Sequence, residues 1–289
     1  MRDLKNLLRR FEDELPVYSK AQRLIAGYIL ENYDKAAFVT AGRLAARVGV
    51  SESTVVRFSA ELGYDGYPEM QRDLQDIVKN KLTATQRIEL SSEKIREDVV
   101  GSVLRSDAES ILATIDEIDR DEFNKVCECI LSAKNIYVIG VRASSAPAQF
   151  LGFYLNLMFP NVHIISTISV SEVFEQILRI SDEDVFIGVS FPRYSKRTLK
   201  AMKFAHSRGA KVIALTDTES SPLCRYADYK MTARSGMVSF ADSLVAPLSL
   251  INALIAALSI KKGDEVVKTL SNLETIWDEY EVYEKADNE

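Results

Sequence analysis

Two short stretches of the chain hold the residues best suited to polar chemistry. Gly140-Val-Arg142-Ala-Ser144-Ser145 follows an apolar run, Ile136–Ile139, and opens a helical pattern. Ser190-Phe-Pro192-Arg193-Tyr-Ser195-Lys-Arg-Thr198 follows another apolar run, Val185–Val189, and opens a second helical pattern. Backbone N–H groups at a helix start, with hydroxyls close by, make a ready site for an anion. For the first stretch alone, Gly140 as a plain turn and Ser145 as a helix cap are an equally good account. Two such loops at the carboxyl ends of strands in one parallel sheet, flanking one crevice, are harder to dismiss. The chemistry they suggest is binding rather than bond-making. Proton transfer between carbons needs a positioned Glu or His. Only Glu172 and Glu175, on a helix opening at Ser171, can be nominated, and His206 sits far along its helix. No acid–base pair is evident, so no catalytic residue is assigned.

A third constellation lies near the start. Ala45-Ala-Arg-Val-Gly49-Val-Ser51-Glu52-Ser53-Thr54-Val55-Val-Arg57-Phe58 has a small residue, four steps and then glycine. Ala45 allows two helices to cross closely and Gly49 supplies the turn between them. The second helix then projects its first residues outward, where they can enter a DNA major groove. Ser51, Glu52, Ser53, Thr54 and Arg57 occupy those positions, and Arg57 can reach a guanine edge or a phosphate. The plainer alternative is a helical hairpin within an oligomerisation domain.

The elements that must hold these residues are legible from periodicity. Over residues 1–80 the pattern is helical throughout. Ser19 and Gln22 form a possible capping box, with Leu24, Ile25, Tyr28 and Ile29 at helical spacing. Thr40 caps a helix that turns Leu44, Ala45 and Val48 inward. Ser51 caps the next, with Val55, Phe58 and Leu62 inward and Gly63 after it. Residues 67–80 make one more helix, and 81–97 read as a polar linker or helical connector. Residues 98–132 are helical again. Apolar runs at 136–139, 163–165, 185–189 and 211–215, with a weaker one at 228–232, then alternate with helical stretches at 145–158, 171–180, 195–207 and 241–260. That alternation predicts a parallel sheet covered on both faces. A last helix, 264–283, holds Trp277, which with Tyr280 is expected to pack it onto a neighbour.

Composition narrows the function classes. The 289 residues carry a net charge of −6, yet the first 80 hold 12 Lys+Arg and 12 Asp+Glu and are neutral. The acidic charge therefore lies in the remainder, which would repel a phosphate backbone; the first part is free to approach one. Three cysteines (127, 129 and 224) and two histidines (163 and 206) offer neither a disulfide framework nor a zinc knuckle. No metal and no cofactor are expected, and both histidines read as serving the fold. The opening MRDLKNLLRR lacks the continuous apolar core of a secretory signal, and Leu244–Leu258 reads as a buried helix, at a dimer interface in one reading, rather than a membrane span. A cytoplasmic location without membrane attachment is the expectation.

The N-terminal motif and its continuation, Arg57-Phe58-Ser-Ala-Glu-Leu62-Gly63-Tyr-Asp-Gly66-Tyr67, resemble the helix-turn-helix domain of the RpiR/MurR family of bacterial transcriptional regulators. The two loops, with Gly209-Ala210-Lys211-Val212-Ile213-Ala214-Leu215-Thr216-Asp217, resemble a SIS (sugar isomerase) domain, which follows the helix-turn-helix domain in that family. The resemblance implies an all-α helix-turn-helix domain (1–77), a linker (78–97) and an α/β three-layer sandwich with a five-stranded parallel sheet and a C-terminal helix (98–283). It implies binding to a double-stranded DNA operator, a sugar-phosphate effector and assembly as a homodimer or dimer of dimers. Carried over by position, the effector site takes Ser144 from the first loop and Ser190, Ser195 and Thr198 from the second.

Two departures stand out. The family's first loop runs G-x-G-x-S, and Arg142 takes the middle glycine. Its second runs S-x-S-G-x-[ST]-x-x-T, and Pro192 and Arg193 replace the inner Ser and Gly. Pro192 brings neither hydroxyl nor N–H. Arg142 and Arg193 add two cations, suited to a phosphate or to acidic residues of a partner subunit; the ligand role is favoured. A sugar-phosphate isomerase or lyase, and a repressor that uses the SIS domain only to dimerise, are the competing functions.

Overall fold

The structure is a computed structural model that describes residues 17–78, 82–92, 98–166, 169–237 and 239–284. Residues 1–16 of the expected DNA-binding domain, and 79–81 and 93–97 of the expected connector, lie outside these. The chain divides into two compact units. One takes the residues up to Leu104 together with Met237–Asp242; the other takes 105–236 and the residues from Ser243 onward.

The first unit is helical. Helices α1 (Lys20–Glu31), α2 (Tyr33–Ala36), α3 (Ala41–Val48), α4 (Glu52–Glu61) and α5 (Tyr67–Val78) follow one another closely. The expected capping box is present: the Ser19 hydroxyl accepts from Gln22 N, and the Gln22 side chain accepts from Ser19 N. Thr40 and Ser51 cap α3 and α4 as the sequence predicts. Ile25, Ile29, Leu44, Val55, Phe58, Met70 and Leu74 fill one core. Leu24, at the same helical spacing, is 46% exposed. Helix α5 is fastened to the loop after α2 by polar bonds: Tyr67 Oη and Gln71 Nε2 each donate to Val39 O at 2.7 Å, and Gln75 Nε2 donates to Ala37 O. Of the two readings of the connector, linker or helical segment, the structure shows the helical one over part of its length. The connector contains helix α6 (Ala84–Ser92), and Leu82 and Arg87 are buried in the first unit.

The second unit is three layers. Helices α7 (Val99–Glu117, of which residues from 105 belong here) and α8 (Arg120–Leu131) precede a sheet of five parallel strands: β1 (Ile136–Gly140), β2 (Val162–Ile165), β3 (Val185–Val189), β4 (Lys211–Thr216) and β5 (Tyr229–Thr232). Their spatial order is β2-β1-β3-β4-β5. Between them run α9 (Ser145–Met158), α10 (Val170–Gln176) and α11 (Lys196–Ser207), and after them α12 (Val245–Lys262) and α13 (Asp264–Glu279). Side chains alternate across the sheet. Val138, Ile187 and Leu215 join a core with α8, α9 and α12; Tyr137, Phe186 and Val212 join another with α10 and α11. Helix α12 extends to 18 residues, long and apolar enough by length and composition to match a membrane span. Leu250, Ile251, Leu254 and Leu258 place it in the core of this unit instead. Tyr280 is 71% exposed and does not pack as expected, while Trp277 meets Tyr283 edge-on. His163 stacks on Tyr137 at 4.7 Å, and His206 lies in the last turn of α11, 3.9 Å from Asp228. Cys127, Cys129 and Cys224 are free thiols.

Gly140 ends β1 where no side chain fits. A Cβ there would stand 2.1 Å from Ser144 O and 2.7 Å from Ala148 Cβ. Gly140→Ala is therefore expected to lower the unfolding free energy by about 1–3 kcal/mol through overpacking, measurable by urea titration.

Candidate functional site

Strand order reverses between β1 and β3: the chain leaves β1 toward β2 on one side and returns to β3 on the other. In open parallel sheets the crevice outside the carboxyl ends of the strands at such a point is where ligands bind. Both loops singled out in the sequence end on these two strands. The first continues from Gly140 into a 3-10 turn, Arg142–Ser144, and then α9. The second runs from Ser190 to Ser195, the cap of α11. A hydrogen bond from Phe191 N to Ser144 Oγ (3.3 Å) joins them.

The hydroxyls are already employed as acceptors. Ser144 takes the Phe191 N–H, Ser190 takes the Ser195 N–H at 3.0 Å, and Ser195 takes the N–H groups of Arg197 and Thr198. A serine that accepts in this way keeps its own proton to give. Thr198 is fully buried, and its Oγ1 has no hydrogen-bond partner among the described residues. The first loop holds Arg142 at φ 59°, a left-handed conformation that suits the glycine usual in the family. Arg142 and Arg193 are both exposed, and neither has an ion-pair partner among the described residues. Pro192 is buried. The structure thus brings Ser144, Ser190, Ser195 and Thr198 to one crevice, with the two arginines on its loops.

Sequence reasoning passed over two members of this network. Asp217, 2% exposed at the end of β4, accepts from Tyr194 Oη at 2.7 Å. Thr216 Oγ1 donates to Ser190 O at 2.9 Å. The signal was present in the Thr216-Asp217 pair that closes the β4 motif, since polar residues at the carboxyl end of an inner strand seldom serve packing. Glu172 and Glu175, the nominated bases, are exposed on α10. Burial pushes the Cys224 thiol up to about 11, so it is not a ready thiolate nucleophile.

In the first unit, Gly49 turns the chain at φ 74°, and its N–H closes onto Ala45 O. Ala45 is 3% exposed at the crossing of α3 and α4. Ser51 Oγ lies 2.8 Å from Ser53 Oγ and 2.7 Å from Thr54 Oγ1, so the start of α4 is a hydroxyl cluster. Ser51, Ser53 and Arg57 are exposed and Thr54 is half-buried. Glu52 folds back: its carboxylate lies against Gly42, about 3.2 Å from where a Cβ would stand. Arg43 and Arg57 stand exposed on successive helices of the motif.

Residues 5–81 match the helix-turn-helix domain of the rpiR family, and residues 129–257 match the SIS domain. An uncharacterised HTH-type transcriptional regulator of Clostridium perfringens is 25% identical over 81% of this chain and 84% of its own length. The HTH-type transcriptional regulator HexR of Escherichia coli is 25% identical over 89% of each chain. The solved structure of the Vibrio vulnificus NanR protein complexed with ManNAc-6P superposes with a TM-score of 0.59 at 25% identity, covering 95% of this chain and 98% of that one. A helix-turn-helix domain followed by an α/β SIS domain defines a DNA-binding transcriptional regulator. The chain belongs to the rpiR family of such regulators.

Two expectations follow from this geometry. Arg57→Ala should weaken operator binding by about 1–3 kcal/mol if the side chain reads a base edge, and gel-shift titration measures it; an unchanged affinity and sequence preference removes Arg57 from the interface. Arg142→Gly should raise the unfolding free energy by about 0.5–1 kcal/mol, because relief of a left-handed non-glycine residue outweighs the added chain entropy. Denaturant titration reads that change.

Proposed function

We propose that this regulator binds an anionic sugar, a sugar phosphate first of all, in the crevice between the β1 and β3 loops, and that the bound sugar alters operator binding by residues 1–77. The Ser144–Phe191 bond carries the reading. It makes one crevice of two loops where the strand order reverses, and the side chains around it are donors. Ser144 and Ser190 each accept one backbone N–H and Ser195 accepts two, and all three keep a proton to give. Such a set favours a ligand rich in acceptors, a phosphate or carboxylate, over neutral hydroxyls. Arg142 and Arg193 add charge that offsets the hydroxyl and N–H missing at Pro192. The ManNAc-6P bound by NanR is a ligand of the same chemical class. The relatives' names and the exposed Glu172 and Glu175 favour a regulator without turnover, and a cytoplasmic location belongs to the same reading.

Self-association belongs to the same reading. From residue 105 onward, α7 leaves Leu112 and Ile115 61% and 52% exposed, and Ile115 borders an apolar cavity of about 300 Å³ with Ile118, Phe123 and Leu250. A second copy is the partner that fits, because helix-turn-helix domains read two half-sites as a pair. Ile115→Asp is expected to shift the sedimentation of the protein toward the monomer, and an unchanged coefficient would move the interface elsewhere.

Thr198 gives the most discriminating test of the site. Its buried hydroxyl has no partner among the described residues, and a ligand oxygen would satisfy it. Thr198→Val is therefore expected to stabilise the ligand-free protein and to weaken ligand binding by about tenfold. Calorimetry with a panel of phosphorylated and acidic sugars, on wild type and on Thr198→Val, Ser190→Ala and Arg193→Ala, measures the second effect. A ligand that binds all four proteins equally is not held in this crevice. Turnover of any sugar phosphate that depended on Glu172 would overturn the regulator-only reading.

A further inference from the structure

The second loop is fixed at every residue but one. Ser190 N donates to Leu215 O at 3.1 Å, Ser190 O accepts from Thr216 Oγ1 at 2.9 Å, and Ser190 Oγ accepts from Ser195 N at 3.0 Å. Phe191 is buried in the core shared with α8, α9 and α12, and its N–H is held by Ser144. Pro192 is buried. Tyr194 packs against the other core, beside α10 and α11, and its Oη donates to Asp217 Oδ1 at 2.7 Å. Ser195 caps α11. Arg193 alone among residues 190–195 is exposed, and it has no ion-pair partner among the described residues.

The two cores lie on opposite faces of the sheet. Phe191 belongs to one and Tyr194 to the other, so Pro192 and Arg193 cross over the carboxyl end of the sheet between them. Thr216 and Asp217, consecutive residues at the end of β4, hold the two ends of this crossing. Thr216 takes Ser190 by its carbonyl, and Asp217 takes Tyr194 by its hydroxyl. Both are buried, so bulk water does not compete for either bond. A buried carboxylate is a costly way to hold a tyrosine whose ring is already packed. What the bond adds to the packing is a fixed direction for the chain, and the residue immediately before Tyr194 is the cation.

We infer that Tyr194 and Asp217 are positioning residues for Arg193, and that Arg193, so held, determines how tightly the crevice takes an anionic group; this rests on the reading of the crevice as a site for an anionic sugar. An arginine on a slack loop must have both its backbone and its side chain ordered when an anion binds. Here the backbone is already ordered on either side, and only the side chain remains. Glycine at 193, usual in the family, would present no charge to position.

The test uses the full chain. Calorimetry is run with a panel of hexose 6-phosphates, pentose 5-phosphates, phosphorylated sugar acids and inorganic phosphate. The proteins are wild type, Tyr194→Phe, Arg193→Ala, the double variant and Asp217→Asn, each checked by thermal unfolding. Tyr194→Phe keeps the ring and deletes only the oxygen that donates to Asp217. For the panel compound that wild type binds most tightly, Tyr194→Phe is expected to weaken binding about fivefold where Arg193 is present and less than about twofold where it is alanine. Asp217→Asn leaves an acceptor for the tyrosine and is expected to bind within about threefold of wild type; a larger loss would overturn the assignment of Asp217. A tyrosine that merely keeps the loop folded would lower affinity by the same factor in both backgrounds, which overturns the positioning role. So would wild-type affinity in Tyr194→Phe or in Arg193→Ala. No binding by wild type across the panel is a different failure: it overturns the reading of the crevice, and the positioning role with it.

Discussion

The reversal of strand order between β1 and β3 is the constraint on which the rest depends. With β2 on one side of β1 and β3 on the other, the helices that follow β1 and β3 leave the sheet in different directions, and a crevice opens between their starts. The Phe191–Ser144 bond joins the two loops directly. Gly140 is required because Ser144 O occupies the space a side chain would need. Ser190 and Ser195 then fix the second loop to the start of α11. Ser144, Ser190 and Ser195 each hold their own backbone N–H partners, so the two loops and the start of α11 are tied together one after another.

This chain departs from the usual loop of its family in a way that has a physical reading. Arg142 sits in a left-handed conformation that glycine would hold at lower cost. A strained residue beside such a crevice is a functional-site signal. Arg193 follows the residue that lost both its hydroxyl and its N–H to proline. Two exposed cations without ion-pair partners among the described residues thus stand where two small residues are usual. The expected consequence is a change of ligand selectivity rather than loss of binding. Arginine adds a fixed positive charge and a bidentate fork that matches carboxylate or phosphate, which small loop residues lack.

Much of this was legible in the sequence, for reasons that can be named. The strands at 136–140, 185–189 and 211–216 are buried on both faces, so they read as continuous apolar runs between helices. Caps at Ser19, Thr40 and Ser51 were readable because the hydroxyl bonds within its own turn. What escaped was long-range. The engagement of Ser144 by Phe191 spans 47 residues and leaves no local mark. Arg87 and Asp242 stand 155 residues apart, and the segment of α6 read only as a polar linker or helical connector because the residue it buries is an arginine. Leu24 shares the helical spacing of Ile25 and Ile29 yet is exposed, and Tyr280, expected to pack the last helix onto a neighbour, is exposed too; spacing does not say which apolar residues find a neighbour.

The central claim is that an anion occupies the crevice between the two loops. A crystal structure of the protein grown with a sugar phosphate that binds it in solution tests this most directly. The account predicts electron density for the phosphate or carboxylate within hydrogen-bond distance of Ser144, Ser190 or Thr198, with at least one of Arg142 and Arg193 turned onto it. Density for the sugar at any other place in the chain, with the crevice between β1 and β3 unchanged, would contradict it.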